Sequence, residues 1–96
     1  MYEMISSLVK GQTIEFNYGK NKYILGVHCV TDKEKYMHVR EVSKYGLNIC
    51  MNVDKISKSI IWLYDFNMMG VRNNSKMYMS NITNPVMVDI KLPTTV

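Results

Sequence analysis

From residue 12 to residue 53, apolar and polar positions alternate in four short segments separated by turn residues. The apolar sets are Ile14, Phe16 and Tyr18; Tyr23, Leu25, Val27 and Cys29; Met37 and Val39; and Leu47, Ile49, Met51 and Val53. A period of two is the signature of a strand with one face buried. It predicts strands over 13–18, 23–30, 36–42 and 47–53, the first two joined around Gly19 to Lys22. Ahead of them, Met4, Ile5, Leu8 and Val9 recur at helical spacing, with Lys10 placed for the negative end of the helix dipole and Gly11 as a left-handed cap. A short amphipathic helix over 2–10 follows. Residues 54–59 are polar and suit one helical turn or a tight connection into an apolar strand over 60–64. Beyond it, 68–72 and 76–80 are expected to pair about Asn73-Asn74-Ser75, with a last strand after Pro85 carrying Val86, Val88, Ile90 and Leu92.

Register follows from the requirement that one face stay apolar, since a slip of one residue would turn the whole set to solvent. The expected pairs are Phe16 with Leu25, Val27 with Val39, and Val39 with Met51. Cys29 then faces the core. The opposite face carries two rows across four strands: Thr13, His28, His38 and Asn52, and beside them Glu15, Gly26, Arg40 and Cys50. Residues directly opposed have Cβ atoms about 5 Å apart, so the two histidines are expected to be neighbours. Such a pair could begin a zinc site, with Cys50 on the diagonal as a third ligand, although a closed site needs four ligands and a catalytic one three. It could instead belong to a binding patch of His28, His38, Arg40 and Asn52, extended by Lys20, Lys22, Lys44 and Tyr45 in the turns. The default is a solvated sheet face with two incidental histidines.

Ninety-six residues make a single domain with room for one core. Function is therefore expected at the surface. The chain has no alanine, nine methionines, and ten lysines against only Arg40 and Arg72. Lys, Asn, Ile, Tyr and Met have AT-rich codons, so an AT-rich genome, such as that of a phage or a low-GC bacterium, accounts for the bias. The same bias accounts for the net charge of +4, which permits a polyanionic partner but contains no basic run. Two cysteines are too few for a disulfide framework, and no secretory leader is evident, which points to a reducing cytoplasm, the host's if the protein is viral. No apolar stretch is long enough to cross a bilayer as a helix.

Leu8, Val9 and Gly11 leading into the first strand, Gly26 with Asp32 six positions on, and Val53-Asp54-Lys55-Ile56 ahead of Ile60 resemble the Sm-like group of small SH3-type barrels over about residues 4–64. The resemblance implies an all-β small barrel, with a helix over 1–11, a barrel core over 12–64 and a hairpin-and-strand extension over 65–96. Where Sm-like proteins carry Met-Asn and then Arg-Gly or Lys-His at their RNA pocket, this chain has Tyr36-Met37-His38 and Asp54-Lys55, so the resemblance implies the fold, while the motifs of the uridine pocket, and with them the ring assembly, are not matched.

No Ser-His-carboxylate spacing, no paired carboxylates within one strand and no glycine-rich phosphate loop is present, and no cofactor is expected. The leading expectation is a non-enzymatic protein that binds a protein partner or a second copy of itself, as an accessory or inhibitory factor of an AT-rich phage. Phe66, Met68, Met69, Met77, Tyr78 and Met79 are its expected interface. Nucleic-acid or nucleotide binding through the outer face is the alternative, and a metal site at His28 and His38 a further one.

Overall fold

A computed structural model describes residues 1–31, 35–43 and 46–89, with the side chains of residues 43, 46–49 and 89 excepted. The expected all-β class is observed: among the described residues one short helix, α1 (Tyr2–Ser6), precedes seven strands. These are β1 (Gln12–Tyr18), β2 (Asn21–Val30), β3 (Lys35–Ser43), β4 (Gly46–Ile56), β5 (Ile60–Phe66), β6 (Arg72–Tyr78) and β7 (Ile82–Asp89), with a 3-10 turn at Met79–Asn81. All pair antiparallel in one sheet of order β6-β5-β4-β3-β2-β1-β7.

The sheet is not closed into a barrel. β6 and β7, successive in sequence, lie at its two ends, joined through the 3-10 turn without a ladder between them. Seven flat strands would span roughly 30 Å across at a thickness of about 10 Å. The extents are instead 35 × 32 × 31 Å, so the sheet is strongly curled. One contact holds the ends near one another: the Tyr78 N–H of β6 donates to Tyr18 Oη of β1, the neighbour of β7, at 3.2 Å. Inside the curl sit Ile14, Phe16, Leu25, Val27, Val39, Ile61, Leu63 and Met77, joined by Ile5 and Leu8 from the amino-terminal segment.

Helix α1 ends at Ser6, four residues short of expectation. The Ser6 and Ser7 hydroxyls donate to the carbonyls of Tyr2 and Met4, offering the backbone a local alternative to further helix. Val9 consequently leaves the apolar stripe and is exposed, while Gly11, at φ +94°, turns the chain into β1. Lys35 Nζ donates to the Ser6 carbonyl at 2.8 Å and ties the helix end to β3.

The registers keep the expected faces but not every expected pair. Phe16 faces Tyr23 rather than Leu25, because Tyr18 pairs with Asn21 and leaves only Gly19 and Lys20 in the turn. Gly19 has φ +62° at the first central position, where a two-residue hairpin loop favours glycine. Val39 faces Leu25 rather than Val27, and it faces Met51 as expected. Slips of two residues preserve parity, so Phe16, Leu25, Val27 and Val39 remain inside, while the side chains of Leu47 and Ile49 lie outside the described residues. A bulge between Val27 and Cys29 does change parity, and Cys29 is exposed instead of core-facing.

Residues 54–59 make no helical turn: β4 runs to Ile56, and Ser57 Oγ accepts from the N–H groups of Ser59 and Ile60 in a tight turn. The expected pairing of 68–72 with 76–80 is replaced by β5 with β6 around residues 67–71. There the Asn67 side chain accepts from the N–H groups of Met69 and Val71, closing the loop before a turn at Asn73 can form. The last strand begins at Ile82 rather than after Pro85. Pro85 is accommodated because β7 is an edge strand, and Asn84, at φ 51°, sits where the β1–β7 register shifts.

Candidate functional site

On the outside of the sheet, one row of facing residues runs Val88, Thr13, Gly26, His38, Asn52, Tyr64 and Asn74 from β7 to β6. At its β1–β3 end lies a cleft of about 320 Å³ lined by Thr13, Ile24, Gly26, His28, His38 and Arg40, among others. Gly26 forms its floor. A Cβ there would lie 3.0 Å from Thr13 Cγ2 and 3.6 Å from His38 Nε2, so the cleft depends on the missing side chain. The Thr13 hydroxyl donates to the Val88 carbonyl at 3.1 Å and fixes that wall.

The two histidines are neighbours, as expected, through a different geometry. His38 faces Gly26, and His28 is the bulged residue of β2, which swings its ring over the diagonal. The rings stack with centroids 5.2 Å apart, and their Nδ1 atoms are 3.1 Å apart. One ring must donate and the other accept, so double protonation would oppose two N–H groups. Burial, the Arg40 guanidinium and His28 hold the His38 pKa below the usual histidine value. Arg40 is half-buried beside the pair, and its Nε–H is withdrawn from solvent with no acceptor among the described residues. Asn52 faces His38 directly. No group of three or more His, Cys, Asp or Glu side chains suited to a metal occurs among the described residues, so the pair lacks a third ligand of those types there.

The other expected binding residues are scattered. Lys20 is exposed in the β1–β2 turn, Lys22 is paired with Glu15 at 2.9 Å, and Lys44 and Tyr45 lie outside the described residues. The expected apolar interface is divided by the fold. Met77 is buried and Met79 packs against the core, whereas Phe66, Met68 and Met69 are 58%, 105% and 87% exposed on the β5–β6 hairpin. Val71, also exposed, joins them at the tip, while Tyr78 lies at the far end of β6.

Sequence reasoning missed a second outward surface. Ile61 and Leu63 point into the core, so Trp62, Tyr64 and Phe66 share the outer face of β5. Lys55 Nζ lies 4.5 Å from the Trp62 ring centroid and Arg72 Cζ 4.3 Å from that of Tyr64, both within cation–π range. Tyr64 and Phe66 meet edge to face at 6.0 Å. A groove of about 330 Å³ runs among Asp54, Lys55, Trp62, Arg72, Asn74 and Lys76. The signal was present as the alternation Ile60, Trp62, Tyr64, Phe66, but the intervening residues are also mostly apolar, which hid which half faces out.

Among the described residues, no helix is long and apolar enough to cross a membrane. Comparison with known proteins found no matching family model, no matching curated protein and no matching solved structure.

Proposed function

We propose that this chain is a non-enzymatic binding protein that docks a protein partner through the tip of its β5–β6 hairpin. The observation that carries the reading is the exposure of Phe66, Met68, Met69 and Val71 together on one short hairpin. Fully burying such a side chain is worth roughly 1.5 to 3 kcal/mol, a gain the fold leaves unrealised at Met68 and Met69 and only partly realised at Phe66 and Val71. Unbranched methionines suit such a contact because three rotatable bonds and a polarisable sulfur let them fit an irregular surface. Exposed free thiols at Cys29 and Cys50 agree with a reducing cytoplasm as the place of action. The AT-rich codon bias agrees with an accessory or inhibitory factor of a phage.

The test compares wild type with the double variant Met68→Asp, Met69→Asp as bait in extracts of the native host, read by quantitative mass spectrometry. Both residues are solvated, so the variant should melt within a degree or two of wild type while losing a defined protein that wild type retains. Identical captured sets would refute the proposal.

A further inference from the structure

We infer that the outer face of β4–β6, with Trp62 and Tyr64 as stacking surfaces and Lys55, Arg72 and Lys76 as phosphate contacts, is a binding site for single-stranded nucleic acid. The site adjoins the hairpin tip at Phe66 and lies apart from the histidine cleft.

Trp62, Tyr64 and Phe66 follow one another at every second residue of β5, so their side chains leave the same face at backbone intervals of about 7 Å, with the Tyr64 and Phe66 rings 6.0 Å apart and edge to face. A row of rings at that interval suits successive unpaired bases of an extended strand, because every base offers a π-face whatever its sequence. The paired bases of a duplex present no such face.

Charge points to the same ligand. Lys55 and Lys76 flank Trp62 directly, from β4 and β6, and Arg72 faces Phe66 while its guanidinium lies over Tyr64. Cations thus border the aromatic row on both sides, where a strand lying along β5 would place its phosphates. The one carboxylate of the groove, Asp54, meets Arg72 at 3.4 Å, with both side chains about half exposed. A half-exposed surface pair of this kind is weakly held, so the guanidinium can turn to a phosphate. Asn74, opposite Tyr64, accepts from Arg72 Nε at 2.9 Å and supplies a side-chain amide within reach of a base edge. An acidic protein segment would meet the same cations but would gain nothing from the spacing of the rings.

Trp62 is the only tryptophan of the chain, so its fluorescence reports on the site alone. Titration of the full-length protein with oligothymidylate should quench it, with affinity falling as salt rises. Three phosphate contacts on a single strand give a log–log slope of about −2, or about 20-fold weaker binding between about 50 and about 200 mM salt. Lys55→Glu with Lys76→Glu should abolish binding at moderate salt, and the milder Lys55→Gln with Lys76→Gln should leave a slope below about 1 in magnitude. Met68→Asp with Met69→Asp should bind the oligonucleotide as wild type does, so the fates of this site and of the hairpin tip can be told apart. Absence of quenching at low salt, equal quenching by duplex of the same length, or equal quenching by polyglutamate would overturn the inference.

Discussion

At the scale of single residues, three positions bear the most specific consequences. Gly26 is the floor of the histidine cleft, and Gly26→Val would drive branched carbons into Thr13 and His38. Overpacking of that kind costs about 1–3 kcal/mol, which a urea titration would show as a lower midpoint. Asn84 holds a left-handed backbone, so Asn84→Gly should be tolerated, whereas Asn84→Val should cost about 1–2 kcal/mol by the same titration. His38 sets a pH dependence. Its folded pKa lies below its unfolded one, chiefly through burial, so its contribution to stability is present above the unfolded value near 6.5 and is lost as pH falls through the folded value. Melting temperature should therefore decline on acidification below pH 6.5, and less steeply in His38→Gln. Sequence showed that His28 and His38 share a face, because parity survives a two-residue slip. It could not show the bulge that carries His28 onto the diagonal and turns Cys29 outward, since a bulge leaves no mark in an alternating pattern.

At the scale of elements, the β5–β6 hairpin carries both proposed surfaces and also closes the core. Met77 and Met69 lie on the same hairpin with opposite environments, one buried and one solvated. Met77→Ala should cost about 2–5 kcal/mol, and Met69→Ala less than about 0.5. Equal effects in chemical denaturation would mean that the hairpin is paired otherwise. The four strands between residues 12 and 53 were legible because each has one wet and one dry face. The region after Tyr64 was not, because Asn67, Asn73 and Asn74 are all good turn formers. The bonds from the Met69 and Val71 N–H groups to the Asn67 side chain, with the backbone bonds from Asn67 N–H to Val71 and from Gly70 N–H to Asn67, decide between the candidate turns. Trp62 and Tyr64 escaped notice for the related reason that a continuous apolar run does not declare its outer half.

At the scale of the molecule, residues after Tyr64 supply both edges of the sheet, one on β5 and the other on β1. They are part of the fold rather than an appendage. A chain ending at Tyr64 would lose Met77 from the core and the partners on both sides, and it should show no cooperative unfolding by circular dichroism. The edges themselves are guarded: β6 presents Arg72, Asn73, Asn74, Ser75 and Lys76, and β7 has Pro85 and a register shift. Indiscriminate strand addition is thus discouraged, and the apolar tip is left as the place where another protein gains most by binding. A photo-crosslinking amino acid at position 69, introduced in the native host, tests this claim most directly. The matched control is position 58, in the turn at the opposite end of β5, about 20 Å away along the strand. A covalent adduct of discrete mass is expected from position 69 and not from position 58. Adducts from both positions alike, or from neither, would contradict the claim.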